Sequence, residues 1–251
     1  VTSSHRRRRR LLRWIGGGLL GIVLLAAVGI VVWSQVGVYQ PEAAPLAAVR
    51  ADPAIRFSDG ASAIVMEPTD TETASEVGLV FIPGAKVDPW AYARTLSGLV
   101  TDDGMTVVIT RPWLNLAFFD LRPLTDFTAL APEVQTWAVG GHSLGGVRAC
   151  SLASDADALV LFASYCATDL SDTDLSVLSL SGSEDGLSTP QKITDARDLL
   201  PEDAVMIEIE GANHASFGAY GPQDGDGTAT ISQDEMVERI SSTVAQFFSE
   251  P

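Results

Sequence analysis

The chain has 251 residues, enough for one sizeable domain and an appendage, and a formal net charge of −16. That charge is uneven: six of the 16 basic residues fall within the first 13 positions, while residues 34–251 hold 10 basic against 32 acidic side chains. So acidic a body repels phosphate backbones, which excludes nucleic acid as a partner.

The N-terminal part reads as an anchor. Arg6 to Arg10 and Arg13 precede an uncharged stretch running from Trp14 to Trp33. As a helix this stretch would rise about 30 Å, the thickness of a bilayer's hydrocarbon core, with a tryptophan at each interface. The positive-inside rule then keeps the N-terminus cytoplasmic and exports the rest of the chain. A cleaved signal peptide would have a shorter apolar core and a small-x-small site, and Gln35-Val36-Gly37-Val38-Tyr39 does not supply one. The expected organisation is a basic cytoplasmic tail (1–13), a transmembrane helix (14–33), a stalk rich in Ala, Pro and Val (34–53), and a folded domain (54–251).

Within that domain, short β-branched runs alternate with helical stretches. Strands are expected at Ala63–Glu67, Val77–Ile82, Thr106–Thr110, Leu159–Ala163, Val177–Leu180 and Val205–Ile209. Several of these are continuous apolar runs, as in strands buried on both faces. Asp88 followed by Pro89 predicts a capped helix start, and Trp90, Ala93, Leu96, Leu99 and Val100 continue it at helical spacing. Further helices are expected at Phe127–Ala131, Asp195–Leu200 and Asp234–Phe248. The alternation implies an α/β fold with a mostly parallel sheet covered by helices on both faces.

One segment concentrates the chemistry. Thr136-Trp137-Ala138-Val139 reads as a strand, Gly141-His142-Ser143-Leu144-Gly145 fits G-x-S-x-G, and Val147 to Ala153 suits a helix. In that pattern a sharp strand-to-helix turn pushes the serine hydroxyl outward, and the flanking glycines permit close backbone approach. The helix start beneath the serine favours negative charge above it.

With the elbow on such a sheet, the chain resembles the α/β-hydrolase superfamily. Three further stretches carry the resemblance: Phe81 to Pro89, Pro112 to Phe119, and Gly211 to Gly218. Together they are similar to a compact bacterial branch, often membrane-anchored and loosely grouped with dienelactone hydrolases, over nearly all of Ala63 to Phe248. The resemblance implies the order nucleophile, acid, histidine. Ser143 is the implied nucleophile. Asp185, in Ser181-Gly182-Ser183-Glu184-Asp185-Gly186, is the implied acid, with Glu184 as the alternative. His214 is the implied base, since His5 lies in the tail and His142 inside the elbow. The backbone N–H groups of Leu144 and Ala85 are the implied oxyanion donors.

The remaining features leave choices open. Trp113, Phe118 and Phe119 could line an acyl or aromatic pocket or be core. Arg111 could meet a substrate carboxylate but suits a structural ion pair better. Asp224-Gly225-Asp226-Gly227-Thr228 has some calcium-loop spacing, yet Ala229 stands where a glycine is needed, which favours an acidic turn near His214. No residue cluster calls for a metal, and the triad needs no cofactor. Cys150 and Cys166 read either as small buried residues or as a disulfide formed in an oxidising compartment. The functional expectation is a serine-dependent hydrolase of an ester, lactone or thioester, with a small-molecule acyl substrate. An acyltransferase with the same triad and a non-catalytic exported binding module are the alternatives.

Overall fold

The computed structural model describes residues 3–249, with side chains from Trp14 onward. The basic residues expected to set membrane orientation, Arg6 to Arg10 and Arg13, therefore lie outside the residues whose side chains are described, as do Val1 and Thr2 altogether. The chain forms two compact units, divided between Val38 and Tyr39. The first is a single helix, α1 (Ser3–Gln35). Its 22-residue portion Trp14–Gln35 is, among the described residues, the one helix long and apolar enough to cross a membrane.

The second unit is built on an eight-stranded sheet: β1 (Ile55–Asp59), β2 (Ala63–Pro68), β3 (Val77–Ile82), β4 (Thr106–Thr110), β5 (Thr136–His142), β6 (Ala158–Phe162), β7 (Ser176–Gly182) and β8 (Val205–Ile209). The strand order is β1-β2-β4-β3-β5-β6-β7-β8, with β2 antiparallel to both its neighbours and every other pairing parallel. This is the expected α/β architecture with a mostly parallel sheet. The helices are α2 (Ala43–Arg50), α3 (Ser97–Thr101), α4 (Thr125–Thr128), α5 (Leu144–Leu152), α6 (Pro190–Asp195) and α7 (Gln233–Ser249).

The continuous apolar runs of the sequence are explained by the two cores. Alternate residues of each central strand point to opposite faces. Leu79, Phe81, Val107, Ile109, Val160 and Phe162 join Leu96, Leu99, Met236 and Ile240 on one face. Val80, Ile82, Val108, Val139, Leu159 and Leu161 join Phe127, Ala149 and Leu152 on the other.

Three local differences from expectation have clear causes. The helix expected after Asp88 is broken into a 3-10 turn, Pro89–Tyr92, and the five-residue α3, although Asp88 caps its start by accepting from the Trp90 N–H at 2.9 Å. β1 is unheralded in the sequence because it is an edge strand with only Ile55 buried. The segment expected to be a stalk, 34–53, is mostly part of the domain. Tyr39 already pairs with Val87, and α2 buries Val49 in the main core.

Cys150 and Cys166 are joined in a disulfide, resolving that choice. It ties α5 to the loop after β6 and closes a loop of 16 residues, which stabilises the domain by about 3 kcal/mol in the chain-entropy account.

Candidate active site

The elbow takes its shape from glycine. Ser143 has φ 52° and ψ −122°, a left-handed conformation that costs a non-glycine residue about 1–3 kcal/mol. What holds it there is close packing around the turn. A Cβ on Gly145 would lie 2.0 Å from the Ile82 carbonyl oxygen, and one on Gly141 2.5 Å from the Gly145 backbone. The serine N–H donates to the Phe162 carbonyl at 3.0 Å, and Ser164 Oγ donates to the Ser143 carbonyl at 2.7 Å. The side chain stands half-buried at the C-terminal end of β5, with Leu144 opening α5 behind it.

Asp185 and His214 lie beyond β7 and β8 and are brought together in the fold. His214 Nδ1 bonds Asp185 Oδ2 at 2.8 Å, with both side chains buried. The other carboxylate oxygen accepts from the Leu187 and Ser188 N–H groups, each at 2.7 Å, so the acid cannot turn away from the ring. Glu184, the alternative acid, is exposed. The His214 ring packs 4.4 Å, centre to centre, from the ring of His142, the residue before the serine. Among the described residues the Ser143 hydroxyl and the His214 ring share no hydrogen bond.

Two supports for His214 have roles that only the fold reveals. The first is Asp226. One of its oxygens accepts from the N–H groups of Gly186 and His214, each at 3.1 Å, and the other from Ala215 at 2.9 Å. It thus clamps the acid loop to the histidine turn. These bonds, and the two that Ser232 donates to Glu235, account for carboxylates of the calcium-like stretch as structural acceptors.

The second is a directed chain of bonds through His142. Its Nε2 faces the His214 carbonyl oxygen at 3.1 Å, so that nitrogen carries the proton. Its Nδ1 must then accept, and it does so from the Tyr92 hydroxyl at 2.9 Å. Tyr92 Oη in turn accepts from the Gly84 N–H at 2.9 Å. The chain links the turn after β3 to the histidine turn. Burial, reinforced by the neighbouring His214, holds the His142 pKa well below the usual histidine value. Burial likewise raises that of Tyr92, against the lowering effect of the Gly84 bond.

The expected oxyanion donors flank the serine's turn. Ala85 follows Gly84 after β3 and Leu144 follows Ser143, both half-buried. Neither N–H donates to a protein acceptor among the described residues. Gly84 is a poor place to probe the hole, because a Cβ there would lie 2.9 Å from His142 Nδ1 and disturb the bonded chain.

The rim is open. Trp113, Phe118 and Phe119 are exposed, which rules out the core alternative for them, whereas Leu116 and Ala117 between them are buried. Lys86, Leu114 and Asn115 all have φ between 55° and 58°, and the Lys86 N–H donates to the Asn115 carbonyl at 2.8 Å. This strained backbone therefore gathers on one side of the elbow, on the turns after β3 and β4. Arg111 bonds Asp59 at 2.6 Å and the Gly60 carbonyl, a structural pairing. A cavity of about 350 Å³ lies behind the histidine turn, lined by Glu42, Asn213, Ser216 and Met236, and Ser143 is not among its walls.

Sheet order, elbow and a buried acid–histidine pair at the same strand ends define an α/β hydrolase. The sequence profile of the Alpha/beta hydrolase family matches residues 78–238, and the chain belongs to that family. Solved structures of similar fold include MGS-MChE2, an alpha/beta hydrolase enzyme from the metagenome of sediments of the Mar Chica lagoon, Morocco. It is 16% identical, covers 77% of this chain and 98% of its own, and has a TM-score of 0.57. The esterase domain of a Rhodothermus marinus protein is 14% identical, with coverage of 77% and 97% and a TM-score of 0.57. Est1E from Butyrivibrio proteoclasticus is 11% identical, with coverage of 78% and 100% and a TM-score of 0.56. No curated protein sequence matches the chain.

Proposed function

We propose that the protein is a serine hydrolase that cleaves a carboxylic ester, lactone or thioester through an acyl-enzyme. The observation that carries this reading is the buried Asp185–His214 bond of 2.8 Å beside a serine held at φ 52°. A serine hydroxyl is a weak nucleophile at neutral pH and needs a base to take its proton during attack. His214 fills that role through Nε2, because Nδ1 is committed to Asp185, which also stabilises the imidazolium that forms. The hydroxyl must move onto Nε2 as substrate binds, and catalytic bonds of free enzymes are commonly long before that point.

Attack on the carbonyl carbon gives a tetrahedral oxyanion, met by the N–H groups of Leu144 and Ala85. His214 then returns the proton to the leaving alcohol or thiol, freeing it and leaving the acyl group on Ser143. Water, activated by the same imidazole, releases the acid. The esterase neighbours support this bond class, and so does the sequence's similarity to a branch loosely grouped with dienelactone hydrolases. The reading extends to an uncleaved anchor with the domain outside the cytoplasm, supported by α1 and by the Cys150–Cys166 disulfide, a bond of oxidising compartments.

The test is a fluorophosphonate label with a panel of p-nitrophenyl esters, applied to the full chain. Labelling and turnover of the wild type, both lost in Ser143→Ala and turnover lost in His214→Ala, are expected. Equal labelling of Ser143→Ala overturns the assignment, and a wild type that turns over no ester points to the binding module instead. Ester formation outrunning hydrolysis when an alcohol is added identifies an acyltransferase.

A further inference from the structure

The segment joining α1 to the domain is very short, and it ends on the rim of the candidate site. Only residues 36–38 separate Gln35, the end of α1, from Tyr39. Four Cα steps reach at most about 14 Å, about twice the headgroup layer of one leaflet. Tyr39 is not loose. Its N–H donates to the Lys86 carbonyl at 2.8 Å, its carbonyl accepts from Asp88 at 2.9 Å, and its ring packs on Tyr220 at 5.5 Å. Glu42 then donates to Ala219 at 2.8 Å. The entering chain is thus fastened to the turn carrying Ala85 and to the segment that follows the His214 turn.

The Lys86 turn is bonded to Asn115, which lies within the exposed apolar stretch. Trp113 is 52% exposed, Phe118 60%, Phe119 45% and Leu121 74%, in a domain whose other large apolar side chains are mostly buried. Charge on this stretch also departs from the domain's average. Residues 111–148 hold three arginines and three acids, and are neutral within a strongly acidic body. Arg111 is paired with Asp59 and Arg122 with Asp120, so the charges nearest the exposed rings are locally compensated. Exposed aromatic rings with an apolar body suit the headgroup boundary.

We propose that this rim, with Trp113, Phe118, Phe119 and Leu121, seats on the bilayer that α1 enters, so that acyl substrate reaches Ser143 from the lipid phase. The proposal rests on the reading of α1 as an uncleaved span. It makes the substrate a lipophilic ester and the tether a device that sets the site's height.

The full chain in phosphatidylcholine vesicles tests it, with a bimane label on Val36→Cys, Leu121→Cys or Asp172→Cys and spin-labelled phosphatidylcholine as quencher. The native cysteines are paired and take no label. Residue 172 lies before β7, at the opposite ends of the strands, and is exposed. Strong quenching at 36 and 121 with none at 172 is expected. Quenching at 36 while 121 matches 172 overturns the docking and leaves the anchor standing. Failure of the chain to float with the vesicles overturns the anchor, and this proposal with it. Leu121→Glu should slow turnover of a vesicle-embedded ester about fivefold and leave a short soluble ester within about twofold. Equal effects on both substrates overturn delivery from the lipid phase.

Discussion

The surroundings of His214 and the rim that faces them are built in opposite ways. Around the imidazole, Asp185, Asp226, His142 and Tyr92 hold one another and the local backbone through bonds of 2.7–3.1 Å, and three of the four are fully buried. Across the serine, the stretch from Trp113 to Leu121 leaves Trp113, Phe118, Phe119 and Leu121 in solvent around the strained Leu114–Asn115 turn. A proton must pass between atoms fixed to a fraction of an ångström, so the histidine side requires enclosure and bonded neighbours. Acceptance of a varied acyl group requires the reverse, a surface whose shape can change at little cost to the fold.

Substitutions should separate the two regions by what they damage. Asp185→Asn keeps the size of the side chain but loses the charge that holds the His214 tautomer, and should lower kcat about 10⁴-fold with little change in KM. Asp226→Ala removes the acceptor shared by Gly186, His214 and Ala215. It should cost about 1.5–3 kcal/mol, read as a fall in melting temperature, and lower kcat alongside. Tyr92→Phe keeps the ring on Phe81 but leaves the Gly84 N–H and His142 Nδ1 without their partner, at a cost of about 1–2 kcal/mol by urea unfolding.

Below these comes a pH effect confined to the enclosed side. His142 has a folded pKa depressed below its unfolded value of about 6.5, so only the unfolded chain gains this proton as pH falls past that point. The resulting loss of stability approaches about 1.4 kcal/mol per pH unit below 6.5, until the folded pKa is reached, and is absent above neutrality. His142→Gln should flatten that slope in urea titrations at successive pH values. Smallest of all, Phe119→Ala on the open rim should change stability by less than about 0.5 kcal/mol while raising KM for long acyl chains. A large loss of stability there would mean that the rim is structural after all, and the contrast would fail.

Much of the frame is legible without coordinates. β3 and β4 occupy the residues their apolar runs predict, because a strand buried on both faces has no polar positions to blur its ends. β1 is hidden for the converse reason, since Arg56, Ser58 and Asp59 make it read as loop until β2 is there to pair it. An acidic turn around Asp226 near His214 is legible too, but its task as a clamp is not. An aspartate that caps backbone N–H groups at two sequence-distant loops leaves no local spacing to recognise. The helix α2 and the strand-like pairing of Tyr39 are hidden in a stretch of small residues and prolines whose partners lie far along the chain.

By itself, the sequence determined which residue types fall at the ends of which strands. Strand periodicity and the steric demands of the elbow are local, and a glycine whose Cβ would lie 2.0 Å from a carbonyl oxygen is as visible in the pattern as in space. Only the tertiary structure decided which partners meet: Asp185 rather than Glu184 against His214, Cys150 with Cys166, and Tyr39 on the Lys86 turn. Those choices depend on the lateral order of strands and on the paths of loops between them. Distances of a few ångströms between residues tens of positions apart are properties of packing, and no spacing along the chain records them.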